Sequence, residues 1–170
     1  MKTLALVMVT LLAPVALRAQ DAAAADTVCA KPAFRRFDFW VGDWTVKDTT
    51  GKVIGHNTIT RDVGGCAVHE HWTSAGGGST GESLTAFSPF DRRWHQLYVG
   101  GGGYILSMSG DFEGDRLVML VDRGASAKVI ERWSWTPLDA SRLRQTSAVS
   151  TDGGKTWKTQ FDGVYERVTR

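Results

Sequence analysis

The sequence predicts an all-β domain: a closed, up-and-down antiparallel β-barrel entered through a short N-terminal helical turn. Three observations carry this. About ten short runs rich in Val, Ile, Thr, Trp and Tyr follow one another at spacings of roughly twelve residues. The punctuation between them is too short for crossover helices, so neighbours in the chain should be neighbours in the sheet. No amphipathic helical period extends beyond a single turn. Closure removes the edges that an open sheet of this size would expose, which favours a barrel over an open sheet. The 19 glycines suit its turns and bends.

The elements follow in order. Lys2, the apolar run Leu4–Leu17 and the small residues after it read as a signal peptide over 1–20, cut after Ala19 or within Ala22–Ala25. The run is shorter than the ~20 residues that span a bilayer, so no stable membrane span is expected once it is removed; the alternative is an uncleaved anchor. Residues 21–32 are Ala-rich and contain Pro32, which suggests a flexible tether. The barrel domain then occupies 33–170, with one helical turn at Ala33–Phe37. Its strands are expected at Asp43–Thr49, Val53–Val63, Cys66–Ser74, Glu82–Ser88, Trp94–Val99, Tyr104–Gly110, Arg116–Asp122, Lys128–Thr136, Arg142–Thr151 and Lys155–Val168. Gly64-Gly65 reads as a hairpin turn of the primed kind.

Removing residues 1–20 takes away Lys2 and Arg18, leaving 18 basic and 18 acidic residues with no basic block. Nucleic-acid binding needs a concentrated basic face and is not expected. Export places the two cysteines, Cys29 and Cys66, in an oxidising compartment, periplasmic or extracellular, where they would pair rather than stay as free thiols. The bridge would close a loop of about 38 residues and add ~3–4 kcal/mol in the chain-entropy view.

Strand parity sorts the first hairpin into two faces. One carries His56, Thr58, Thr60, His69 and His71. Three histidines there are weak zinc or copper candidates on a face that reads as solvent-exposed, and no metal is assigned. The other face carries Asn57, Ile59, Val68, Glu70 and Trp72 and reads as barrel interior. Trp94, Gln96 and Tyr98 share a face in the same way. Arg132 and Gln145 lie on later strands. Glu70 and Arg132 inside one barrel would have to pair. The set Glu70, Trp72, Gln96, Tyr98, Arg132 and Gln145 forms either a structural polar network or the lining of a ligand cavity. No nucleophile motif, phosphate loop or recognisable acid–base pair of carboxylates is present.

Ser150–Trp157 matches the Asp-box pattern S-x-D-x-G-x-T-W, which in sialidases is a structural hairpin away from the catalytic site. Gly42-x-Trp44 at the head of the first strand resembles the lipocalin signature, in which the tryptophan caps the closed end and a late arginine packs across its ring. That resemblance assigns barrel closure to Gly42, Trp44 and Arg167. Phe37–Trp44, with Gly65-Cys66, Glu70-x-Trp72, Gly81-x-Ser83-Leu84, Trp94-x-Gln96 and Ser150–Trp157, is similar to secreted bacterial FDFWxGxW proteins grouped as domain of unknown function 1579. The resemblance covers most of the mature chain and brings no activity with it. Nitrobindin-like haem barrels are more distant in shape; their C-terminal histidine ligand has no counterpart after His95, and no cofactor is expected.

The expected function is binding of a small, partly apolar molecule inside an exported lipocalin-like barrel. Two alternatives stand beside it: an isomerase- or hydrolase-type enzyme using Glu70 and Arg132, and a ligand-free structural protein of the envelope. No catalytic residue and no oligomeric state is assigned.

Overall fold

The computed structural model describes residues 28–124 and 127–169. The expected signal peptide, 1–20, and residues 21–27 of the expected tether lie outside them. The rest of that tether belongs to the fold. Cys29 is buried and bonded to Cys66, 37 positions away, with their Cα atoms 4.9 Å apart. Helix α1, Pro32–Arg35, follows at once. A covalent bond and a buried half-cystine hold this segment in place, which composition alone does not reveal.

Ten strands then form one closed antiparallel ring in chain order. They are β1 Gly42–Lys47, β2 Val53–Asp62, β3 Ala67–Ser74, β4 Thr80–Ser88, β5 Arg93–Gly100, β6 Tyr104–Glu113, β7 Arg116–Val121, β8 Ile130–Pro137, β9 Arg142–Ser150 and β10 Lys158–Arg167. Each pairs with its sequence neighbours, and β10 returns to β1 with Trp44 opposite Arg167. Gly64 and Gly65 both take positive φ, and the Cys66 N–H donates to the Val63 carbonyl, the geometry of a primed turn.

Alternation along each strand decides inside from outside. Asn57 and Ile59 are buried while His56, Thr58 and Thr60 are exposed; Trp94 and Gln96 are buried while His95 and Leu97 are exposed. One end of the ring, the base, is filled. A 3-10 turn, Asp38–Trp40, inserts Phe37 and Trp40, both fully buried and 4.9 Å apart, against Trp94 and Trp135 with ring centroids 5.6–5.7 Å away. The entering segment is tied down by Arg61. Its guanidinium donates to the Phe34 and Gly65 carbonyls and pairs with Asp38, which also meets Arg35. Partial burial and the neighbouring Arg35 pull Arg61 down to about 10.

Trp44 seals the base. Its indole N–H donates to the Trp40 carbonyl at 2.7 Å, and the Arg167 guanidinium lies 4.2 Å above its ring. Arg167 also donates to the carbonyls of Val41 (2.7 Å) and Phe39 (3.2 Å). Gly42 makes this approach possible: at φ 144° a Cβ would sit 2.1 Å from the Arg167 Nη1. On the outer wall, Leu84 faces Leu97 and Val99 faces Ile105 across β4–β6, an exposed apolar strip.

Arg167→Ala is expected to destabilise the protein by about 2–4 kcal/mol, from the lost cation–π contact and two charge-assisted hydrogen bonds. Urea denaturation measures it; a loss below experimental error would show that closure does not depend on this side chain.

Candidate functional site

The end of the barrel opposite the base holds a cavity of about 460 Å³. Its walls are aromatic and aliphatic: Trp72 from β3, Tyr98 from β5, Tyr104, Leu106 and Met108 from β6, Trp133 from β8 and Phe161 from β10. Trp133 and Phe161 stack with centroids 5.9 Å apart, and Tyr98 lies 5.9 Å from Tyr104. Trp72, Tyr98, Trp133 and Phe161 are half-buried and Tyr104 is exposed, so this aromatic ring is the mouth. Gly81 leaves the space that the Tyr98 hydroxyl fills; a Cβ there would lie 1.9 Å from it.

The floor is polar and hydrogen-bonded. Glu70 is buried and accepts from Asn57 Nδ2 at 2.8 Å and from Ser83 Oγ at 2.7 Å. Gln96 donates to Ser83 at 3.1 Å and to Thr85 at 2.7 Å. Tyr165 donates to Gln145 and receives a 3.4 Å contact from Asn57. The carbonyl oxygen of Asn57 is buried with no hydrogen-bond partner among the described residues. Desolvation pushes the Glu70 carboxyl above its ordinary range, against the opposing pull of Asn57 and Ser83. Burial, then the proximity of Glu70, raises Tyr165 well above an ordinary phenol. Tyr98 is raised by burial and by Tyr104.

A second acid, Glu131, lines the cavity from β8. It pairs with Arg123 and accepts from the Trp133 indole at 2.9 Å.

Five of the six residues expected to face the interior line the cavity: Glu70, Trp72, Gln96, Tyr98 and Gln145. Arg132 does not, and it makes no pair with Glu70. On β8 the inward positions are Glu131, Trp133 and Trp135, so Arg132 points outward, where its guanidinium stacks 4.1 Å over Trp157. Two indoles gain more from burial than a guanidinium does, and they set the strand's phase. The same alternation, Glu131-x-Trp133 and Tyr104-x-Leu106-x-Met108, marks further lining residues, and Trp135 continues it into the base. Tyr165, two positions before Arg167, is found by parity from the closure contact.

The histidines lie on the outer surface. His69 and His71 both approach Glu82, at 3.4 and 3.1 Å, a carboxylate that β4 supplies and hairpin spacing does not show. His56 sits on the same exposed face opposite Thr73. No cluster of three or more metal-ligating side chains occurs among the described residues. The Asp-box forms its hairpin beside the mouth. Asp152 accepts from the N–H groups of Lys155 and Thr156 and from the Thr156 hydroxyl, which hold its carboxyl down to about 2. Trp157 donates to the Gly154 carbonyl beneath the turn.

No protein-family model matches this chain, and no curated protein matches its sequence.

Because burial raises Glu70, its favourable contribution to stability is complete below the ordinary value of 4.5 and is lost as pH rises through the higher folded value. Glu70→Gln removes that titration. The stability of the variant relative to the parent should therefore increase as pH rises from the ordinary glutamate value of 4.5 through the higher folded value of Glu70. Denaturation curves at several pH values check this; parallel pH dependences would refute a buried, titrating Glu70.

Proposed function

We propose that this protein is an exported, lipocalin-like barrel that binds a small, partly apolar molecule in its interior. The observation that carries the reading is the cavity of about 460 Å³, walled by aromatic rings over a floor with few polar groups. That combination suits one small ligand: apolar walls supply affinity and a few fixed polar atoms supply orientation. Export rests on the N-terminal leader motif, and the Cys29–Cys66 bridge is compatible with it. The FDFWxGxW opening and the Arg167–Trp44 contact support kinship with the secreted family the sequence resembles.

One observation favours a second reading, catalysis by Glu70: the acid lines the cavity and its carboxyl is raised. Its expected partner works against that reading, because Arg132 stands outside the barrel wall and cannot stabilise developing negative charge. The exposed strip of Leu84, Leu97, Val99 and Ile105 is the observation that speaks for an envelope-associated role, and it lies outside the cavity.

Native mass spectrometry of protein purified from its own host should show a co-purifying small mass. Leu106→Trp, which places an indole in the cavity, should abolish that mass while leaving the fold intact by circular dichroism. An apo mass alone, with no ligand-dependent quenching of tryptophan fluorescence across a broad library, would overturn the binding reading.

A further inference from the structure

On the reading that the cavity holds a ligand, we infer that the ligand is an amine whose ammonium group sits against Glu70 and whose apolar body lies between Trp72, Tyr98 and Trp133. The first reason is charge. Two carboxylates, Glu70 and Glu131, line the cavity, and among the described residues no lysine, arginine or histidine does. Glu131 already has Arg123 and the Trp133 indole. Among the described residues Glu70 accepts from the neutral donors Asn57 and Ser83, and no cation contacts this buried acid.

The second reason is the direction of the floor's hydrogen bonds. Asn57 and Ser83 spend donors on Glu70, and Gln96 spends both amide hydrogens on Ser83 and Thr85. Gln96 therefore has only its carbonyl oxygen to offer the cavity. The buried Asn57 carbonyl beside Glu70 also lacks a donor. What faces inward near Glu70 is a set of acceptors. The Tyr165 hydroxyl is spent on Gln145, and the donors that remain, among them the Gln145 amide and the Tyr98 hydroxyl, carry no formal charge. An anion would meet acceptors and a cation already committed to Glu131, whereas an ammonium supplies three donors and a charge that aromatic faces also attract.

Proton balance follows from burial. In the empty cavity Glu70 holds its proton more tightly than an exposed glutamate. An arriving ammonium displaces that proton to solvent and leaves an ion pair. The groups facing Glu70 are Tyr98 and Tyr165, both raised and neutral, with Glu131 across the cavity; His69 is next in the chain but points to the outer face. Amine affinity should fall as pH is lowered through the Glu70 titration.

Isothermal titration with phenylbutylamine, phenylbutanol and phenylbutyrate tests this on the intact protein. The three probes share one apolar body and differ only in the head group. The amine should bind at least about tenfold more tightly than the alcohol, with the carboxylate weakest, since a charge-assisted hydrogen bond replaces a neutral one. Amine binding should also release protons, seen as a buffer-dependent enthalpy. Glu70→Gln should erase the amine preference while leaving alcohol binding within about threefold, and Glu131→Gln should leave the preference in place. Equal binding of amine and alcohol, or preference for the carboxylate, overturns the amine assignment and leaves the cavity reading standing. An amine preference that survives Glu70→Gln overturns the role of Glu70. If none of the three binds, the cavity reading itself falls, and this inference with it.

Discussion

The guanidinium of Arg167 lies over the indole of Trp44, and through this contact the last strand is held against the first. The same guanidinium binds the carbonyls of Phe39 and Val41, so it also fixes the turn that carries Phe37 and Trp40 into the barrel. Ring closure and base plug thus share one side chain. Gly42 is the residue whose lack of a Cβ lets that side chain approach. Once the base is filled by Phe37, Trp40, Trp44, Trp94 and Trp135, the unfilled volume can lie only toward the other end. The position of the cavity follows from the closure.

The interior is layered. Fused aromatic packing occupies the base, a belt of hydrogen-bonded polar groups crosses the middle, and an aromatic ring surrounds the mouth. The belt draws on β2 to β5 and on β9 and β10, one arc of the ring that spans the β1–β10 seam: Asn57, Glu70, Ser83, Gln96, Gln145 and Tyr165. Every member makes at least one hydrogen bond to another, which lowers the cost of keeping these polar groups out of water. The chain of donors ends on Glu70. The asymmetry of the belt, with hydrogens directed to one acid that has no cation, gives the cavity its chemical character.

Much of this was legible from residue pattern. The turn at Gly64-Gly65 sets the register that places His71 opposite Thr58 and His69 opposite Thr60, and the inward positions of Asn57, Glu70 and Trp72 follow by parity. Trp94-x-Gln96-x-Tyr98 is read the same way. Arg132 departs from the expected inward position because a strand of mixed residues, Glu131 to Trp135, has a polar residue on each face. Only the paired indoles at 133 and 135 reveal its phase. The inward position of Glu131 is hidden in the pattern for the same reason. The segment from Cys29 to Pro32 has the composition of a linker, and the disulfide that immobilises it is a long-range constraint with no local signature.

By itself the chain's alternation determined the class, the number and order of strands and most of the inward set. These depend on period-two patterning and on turn chemistry, both of which are local. The tertiary structure alone decided which polar groups meet: Asn57 with Tyr165 across the closed seam, Glu82 between two histidines, Arg132 over Trp157 instead of beside Glu70. It also decided that the barrel is filled at one end and open at the other. Contacts between distant strands depend on the stagger and curvature of the whole ring, and no single strand encodes either.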